Sequence, residues 1–453
     1  MSAKSNSVDM VHGALWGKIL RFTLLYILTA ILQHLYNSAD TIVVGNFAGK
    51  LALGGVGASA PVINLCLNFI IGLSAGAAIL LGQLIGANDR SGIHETVHTS
   101  IAIAIFGGAI MSVVCIVFAR PLLVWLSVDE LIMAEALVYL RIVAIGFVPS
   151  LIYNFGSAIL RAKGDTKRPL YIALFSGVIN VGLNLFFVCV FRMGAAGVAV
   201  ATVFSQIFTA VAVLYFLRRE EDETRVEYRS IRLYKKQFLI ILKYGVPSGI
   251  QSAIFTFANL LVASSINSFG AAATAGRSVA DSIASFISVI NGGLYQACMA
   301  FSSQNYGAKQ FGRIKSTFAI CCAYAILFEV LVFLLVFFGG KSLIGLYVQG
   351  EPQVAEYALI QLRIVAYSHV LCCFMDICSG VLRGMGASMI NMVTAVVGVC
   401  GLRIVWLLTA FKSIGTYASI FWSFPLSWGG TTILLFIMFC IVYSKEKKKV
   451  QIQ

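Results

Sequence analysis

Long, mostly apolar stretches constrain this chain more than any other feature of its sequence. One such stretch covers residues 101–118 and another covers 431–443, each inside a longer apolar segment. A helix needs about 20 mostly apolar residues to cross a bilayer, and backbone in lipid must satisfy its own hydrogen bonds. The strands of a membrane barrel would instead alternate apolar and polar residues. The pattern therefore predicts an all-α polytopic membrane protein.

The composition excludes the common soluble classes. Hydrophobic residues make up 59% of the chain and charged residues only 11%, where about 25% charged residues is usual. A soluble enzyme, a secreted disulfide scaffold and a disordered protein are excluded because such a chain cannot build a charged surface. The eleven cysteines are interpreted as small buried hydrophobic residues, not as metal ligands or disulfides. The N-terminal stretch has no cleavage site after an apolar region, so we expect no removable signal peptide.

Apolar runs and the charged breaks between them predict twelve membrane-spanning helices. Their approximate positions are 15–42, 55–84, 94–118, 132–158, 170–190, 195–217, 238–267, 279–303, 316–338, 355–381, 390–411 and 416–443.

The net charge of +14 is interpreted as retention of Lys and Arg on the cytoplasmic side, not as nucleic-acid binding. If the N-terminus is cytoplasmic, the inner segments hold 24 of the 33 Lys and Arg residues and the outer segments hold six. This bias is what the positive-inside rule predicts for an even number of spans. We therefore expect a multi-pass protein of the cell membrane with both termini in the cytoplasm.

Two halves of the chain repeat each other at a spacing of 221 to 222 residues. The matching pairs are LRIVA at 140–144 and 362–366, LRAKG at 160–164 with LRGMG at 382–386, and GQLIGA at 82–87 with SQNYGA at 303–308. Six crossings per half make the repeats parallel, related by an axis along the membrane normal. The repeat predicts two pseudo-symmetric six-helix bundles around a central axis, an architecture suited to alternating access, although a channel can also be built from repeats.

The charge pattern divides the predicted bundles. We predict an N-terminal lobe at 1–217, a strongly charged cytoplasmic linker at 218–236 and a C-terminal lobe at 237–453.

Polar side chains form three stripes within the predicted spans of the first lobe. Residues three or four apart lie on one face of a helix, and the stripes are Gln33, Asn37 and Asp40; Asn180 and Asn184; and Thr202 and Gln206. An ionisable group in hydrocarbon is costly and points to function. We expect the stripes to meet in one wet pocket where the carboxylate of Asp40 and its neutral neighbours bind H+ or Na+. The alternative is that Asp40 only hydrogen-bonds its neighbours near the membrane surface.

The second half of the repeat lacks this set. The position of Asp40 is occupied by Leu261, and those of the two asparagines are occupied by Leu402 and Trp406. We therefore expect a single cation site, in the first lobe.

Other charged residues inside spans have open interpretations. Asp376, which matches Asn154 of the first half, is a candidate contact for a cationic substrate or a second proton, or else a structural partner of Arg403 or Arg363. Arg403 is likewise a candidate cavity residue or the partner of Asp376. We expect Asp281 to pair with Arg277 one turn away. The sequence does not show in which direction the side chain of Glu329 points within its span.

The sequence HETVH at 94–98 fits the zinc-binding pattern H-E-x-x-H and would make the chain an intramembrane metalloprotease. The repeat copy at 315–319 reads KSTFA and carries no ligands. No nucleotide-binding fingerprint is present either. We therefore expect no enzyme activity, no cofactor and no bound metal beyond Na+ at Asp40, and an ion gradient as the energy source. The glycines at 72–86 are interpreted as sites of close helix packing.

Several segments together resemble the multidrug and toxic compound extrusion (MATE) exporters. They are LYNSADTIVVGNFAGKLALGGVGASAPV at 35–62, GQLIGAND at 82–89, LRAKGDTKRP at 160–169 and LRGMG at 382–386, on a two-lobe plan of twelve spans. The resemblance covers nearly the whole chain. It implies a V-shaped pair of six-helix bundles around a central cavity. It also implies export of organic cations or amphipathic compounds against inward proton or sodium flow.

The resemblance also implies site residues. In the prokaryotic branch that this chain resembles, a first-span acid acts with polar residues of the fifth and sixth spans, here Asp40 with Asn180, Asn184 and Thr202. Three departures stand out. Several relatives have Asp at the position of Asn184, a proline common in the first span is Leu25 here, and 245–261 lacks the seventh-span acid of another branch.

The leading prediction is an ion-coupled antiporter for drugs or metabolites that acts as a monomer and binds no nucleic acid. The second is a lipid-linked oligosaccharide flippase of similar architecture, which would need a strongly cationic cavity. The third, a membrane enzyme, depends mainly on HETVH.

Overall fold

The structure, a computed structural model, describes residues 7–348 and 350–452, and within them the side chains of Asn37, Thr41 and Ile452 lie outside the described part. About 88% of the chain is helical and the described residues contain no strand. The apolar segments all form helices, because only a helix satisfies the backbone within one segment. The predicted all-α class is confirmed.

Packing divides the chain into two compact units. We call Leu28–Gly249, with Ser7 and Val8, the first unit, and Asp9–Ile27 with Ile250–Gln453 the second unit. These packing units do not follow the predicted lobes at 1–217 and 237–453, because each takes one end of a helix from the other half of the chain. The lobe boundaries, which rest on the repeat, stay a prediction.

The helices of the first unit are joined by short turns, with π-helical turns at Val44–Ala48 and Phe186–Val190. They are the second part of α1 (Trp16–Val43), α2 (Gly49–Gly86), α3 (Arg90–Trp125), α4 (Glu130–Ile145), α5 (Phe147–Ala162), α6 (Lys167–Leu185), α7 (Gly194–Arg218) and the start of α8 (Lys235–Asn267).

The second unit holds the first part of α1, the rest of α8 and the remaining helices, with a π-helical turn at Val396–Gly401. These are α9 (Ala271–Gly307), α10 (Phe311–Gly345), α11 (Pro352–Gly384), α12 (Ser388–Ala395), α13 (Leu402–Leu408), α14 (Ala410–Ile414), α15 (Tyr417–Phe421) and α16 (Ser423–Ile452).

Twelve spans follow from these helices. The described residues contain ten helical stretches that are long and apolar enough to cross a membrane, and one of them, Trp16–Gly86, is 71 residues long. At about 1.5 Å per residue it far exceeds the roughly 30 Å of hydrocarbon, so it crosses twice. Gly49 separates the two crossings with a φ of 87°, which favours glycine. The bent pair α4 and α5 makes the twelfth span.

The fourth span differs from its prediction. A single helix was expected at 132–158, but α4 and α5 meet at Gly146 with a bend of 46°. A Cβ atom at Gly146 would lie 1.9 Å from Oε1 of Gln206. Oε1 is the far end of a flexible side chain, so this close approach shows that Gln206 packs against the bend.

Glycines bring α2 and the start of α8 into backbone contact within the first unit. A Cβ atom at Gly72 would lie 2.5 Å from the backbone nitrogen of Gly249, and one at Gly76 would lie 2.5 Å from that of Gly245. Small residues at a spacing of four allow this approach in membrane helices. The interpretation of these glycines as packing residues is confirmed at both positions.

The charged linker is attached to the first unit by ion pairs. Glu220 accepts hydrogen bonds from Lys163 and from Arg168, which follow α5 and begin α6. Lys163 also pairs with Asp222. Burial raises the pKa of Asp222, but hydrogen bonds from Lys163 and Thr224 outweigh burial, and the net pKa lies below its ordinary value. The carboxylate is thus held in its charged form, which preserves the ion pair.

We predict that Gly72→Ala destabilises the protein, because the added methyl group meets backbone atoms that cannot move aside. Overpacking of this kind costs about 1–3 kcal/mol, which a lower unfolding temperature in detergent would show. Gly57→Ala on the same helix is the matched control, since nothing lies within 4 Å of its added Cβ atom. Equal unfolding temperatures in the two variants would contradict the packing role.

Candidate functional site

A cavity of about 220 Å³ lies among the helices of the first unit. It lies between α1, α6 and α7, with contributions from α2 and α5, and most of the described side chains around it are polar. The lining residues are Gln33, Tyr36, Asp40, Leu67, Ile71, Ser150, Tyr153, Asn154, Ser176, Asn180, Thr202, Ser205, Gln206 and Thr209.

Asp40 meets the fifth-span asparagines at this cavity. Nδ2 of Asn184 donates a hydrogen bond to Oδ1 of Asp40 and a second one, of 3.2 Å, to Oδ1 of Asn180. Asn184 is fully buried and Asn180 is 4% exposed, whereas Asp40 is half-buried. A charge-assisted hydrogen bond is stronger than a neutral one, so the contact fixes both side chains.

Local helix geometry explains this arrangement. Asn180 and Asn184 are one turn apart on α6, which places both amides on one face. The α-helix then gives way to the π-helical turn Phe186–Val190 directly after Asn184. Such turns are rare and are frequent at functional sites.

Oxygen atoms with free acceptor capacity surround the carboxylate. Oδ1 of Asn184 is buried and has no hydrogen-bond partner among the described residues. The hydroxyl of Thr202 donates to the backbone oxygen of Val198 at 2.9 Å, so its own oxygen can still accept. One carboxylate with amide and hydroxyl oxygens is a set suited to a proton or a hard cation.

The other predicted cavity residues of the first lobe fall mostly in the same place. Gln33 and Gln206 both line the cavity with Asp40, so stripes from three helices do converge. The side chain of Asn37 lies outside the described residues. Sequence reasoning missed Tyr36, which lines the cavity, although its position between Gln33 and Asp40 follows the same helix face.

Asp376 and Arg403, the candidates of the second lobe, lie in the second unit and do not pair with each other. Arg403 donates to Oδ1 of Asn259 at 2.9 Å and to the hydroxyl of Ser427 at 3.3 Å. Its guanidinium also lies 4.2 Å from the ring centre of Phe424. The considered pairing of these two charges is therefore wrong, because neutral side chains and an aromatic face occupy the arginine.

Asp376 itself is half-buried on α11 and has no hydrogen bond or ion pair with the described residues. The considered pairing with Arg363 is therefore also absent from that part of the chain. The expected pair of Arg277 and Asp281 is confirmed at 3.0 Å.

The HETVH segment anchors the linker. Nδ1 of His98 lies 2.7 Å from the backbone oxygen of His94, and Nε2 of His98 accepts a hydrogen bond of 2.9 Å from the backbone N–H of Glu227. Glu95 accepts from the side chain of Gln237 at 3.0 Å. Across the described residues no group of three or more His, Cys, Asp or Glu side chains is placed to hold a metal ion. The segment therefore has a structural use that requires its polar residues.

Comparison with known proteins agrees with the repeat. The MatE family profile matches the chain twice, at residues 26–186 and 247–408, which is the same displacement of 221 to 222 residues. The chain is 23% identical over 443 residues to the probable multidrug resistance protein YoeA of Bacillus subtilis, covering 96% of this chain and 95% of that one.

Two further comparisons cover most of the chain. The probable multidrug resistance protein NorM of Thermotoga maritima is 25% identical over 381 residues, which are 83% of this chain and 81% of that protein. A solved MOP superfamily transporter from Pyrococcus furiosus superimposes with a TM-score of 0.91 at 19% identity, covering 99% of both chains. The chain belongs to the MatE family of multi-pass membrane transporters and is not an enzyme.

Proposed function

We propose that this protein is a secondary active antiporter that exports cationic or amphipathic drugs or metabolites in exchange for H+ or Na+. It works by alternating access in the cell membrane, as a monomer with both termini in the cytoplasm. The names of the relatives in Bacillus subtilis and Thermotoga maritima support multidrug substrates. The observation that carries the coupling proposal is the hydrogen bond between Asp40 and Asn184 at a polar cavity.

Coupling follows from the cost of charge in a membrane protein. A carboxylate in a low-dielectric setting is costly, and a bound cation neutralises it. Asp40 is the one acid among the described residues that line the cavity, so H+ or Na+ and a cationic substrate compete for it. Competition for one negative group makes transport an exchange, since each cation leaves when the other arrives.

We propose that the coupling ion is H+. Nδ2 of Asn184 donates to Oδ1 of Asp40, so the second carboxylate oxygen of Asp40 is available to take a proton.

The flippase alternative lacks support at this cavity. A pyrophosphate headgroup would require cationic side chains, and no Lys or Arg is among the described residues that line it.

We predict that Asp40→Asn abolishes efflux of a cationic dye from vesicles while membrane insertion is unchanged, because the amide cannot bind and release the coupling cation. Efflux is measured with a pH gradient and with a sodium gradient applied separately. The pH gradient is expected to drive wild-type efflux.

Asp281→Asn is the matched control. Asp281 is also a carboxylate in an apolar helix, but its side chain is 51% exposed and it pairs with Arg277. We expect this variant to transport normally. Normal efflux by Asp40→Asn would refute the role of Asp40 in coupling.

We also predict that Asn184→Leu lowers the efflux rate about tenfold or more. A hydrogen bond to a charged group contributes about 1.5–3 kcal/mol, and 1.4 kcal/mol corresponds to a factor of ten. Val178→Ala on the exposed side of the same helix is the control. An Asn184→Leu rate within twofold of wild type would show that the contact is only structural.

A further inference from the structure

The second unit contains a buried ionisable pair that neither the cavity of the first unit nor the linker uses. Nδ1 of His369 lies 2.9 Å from Oε1 of Glu329, and the two residues are 4% and 5% exposed. Glu329 lies on α10 and His369 on α11, both well inside apolar helices. Every other ion pair in the described part of the chain has a partner that is more exposed.

The second carboxylate oxygen shows that this pair is incompletely satisfied. Oε2 of Glu329 is buried and has no hydrogen-bond partner among the described residues. A buried group without a partner carries a large desolvation cost, which is greater for a charged group.

The surroundings of the pair contain few charges. The titratable groups that interact electrostatically with Glu329 or His369 are Cys372, Cys373 and Asp376 on α11, and beyond them lie Cys321, Arg383 and Arg403. Asn291 of α9 contributes a neutral amide beside Cys372. From α16 the indole of Trp428 packs edge-on against the imidazole, with ring centres 6.0 Å apart.

The repeat has no copy of this pair. At the displacements of 221 and 222 residues, the positions of Glu329 and His369 correspond to Gly108 and Phe147. A pair that only stabilised the fold common to both repeats would be expected in both halves of the chain. Each unit instead has its own titratable group, on different helices.

We propose that Glu329 and His369 form a second proton-binding site, in the second unit, that passes between a net-neutral and a singly negative state. In the neutral state a proton lies on Nδ1 of His369, facing the carboxylate oxygen Oε1 of Glu329, and Nε2 carries its own proton. Release of one proton leaves the carboxylate facing a neutral imidazole. The negative state is costly inside an apolar helix bundle, so release requires a conformation that admits water.

The proton site does not depend on Asp40, but its use in antiport rests on the proposed function. Protons bound at two places in one cycle would make the rate of efflux depend more steeply on the pH gradient than one site allows. Glu329→Gln keeps a hydrogen-bonding side chain of nearly the same size and removes the carboxylate that pairs with His369. We expect this variant to transport with a shallower dependence on the pH gradient.

Trp428 is a local reporter of the pair, because a protonated imidazole quenches indole fluorescence more strongly than a neutral one. The full chain has five tryptophans, and the test protein keeps only Trp428, with Trp16, Trp125, Trp406 and Trp422 replaced by Phe. In lipid nanodiscs we expect its fluorescence to change with pH in a single one-proton transition. The transition is expected to be lost in His369→Gln and to move to a different pH in Glu329→Gln, where the imidazole has lost its carboxylate partner.

The matched control keeps only Trp422, which is 54% exposed and lies six residues before Trp428. Its fluorescence is expected to lack the transition. No pH dependence at Trp428, or a transition that is unchanged in both variants, would overturn the proposal. Asp40→Asn in the Trp428-only protein tests the coupling role of Asp40 separately from the proton site at Glu329 and His369. We expect this variant to lose efflux and to keep the fluorescence transition.

Discussion

The cost of an unsatisfied polar group in hydrocarbon governs this structure. It requires helices for the backbone, and it requires partners for the few polar side chains inside them. Arg403 is buried against Asn259 and Ser427, and Asp40 accepts from Asn184. Glu329 satisfies one oxygen with His369. At these three places hydrogen bonds from neighbouring side chains lower the cost of burying an ionisable group.

Much of the fold follows from the sequence because apolar length and charge breaks are strong local signals. The twelve spans and the repeat were predictable on these grounds. The bend at Gly146 was not predicted, because the apolar pattern passes through this position without a charged break. The packing units were not predictable either, since the halves of α1 lie in different units and no local pattern divides that helix.

The candidate site was also predictable only in part from the sequence. Spacing along a helix fixes which residues share a face, so Asp40, Asn180 and Thr202 were predicted together and line one cavity. Their role in transport stays a prediction. Pairing between helices carries no such signal, which is why Glu329 was not placed and why Arg403 was considered as a partner for Asp376. The contacts of these residues depend on the direction in which each side chain points. The sequence of a lipid-facing helix does not reveal that direction, because its apolar residues are spread around all sides.

The attachment of the linker has a practical consequence for protein engineering. From its composition, 218–236 reads as a flexible tether and an obvious place to insert a tag or a fluorescent domain. Its carboxylates are instead clamped by Lys163 and Arg168, and its backbone is held by His98. We expect an insertion there to disturb these contacts within the first unit, so a tag or a fluorescent domain belongs elsewhere.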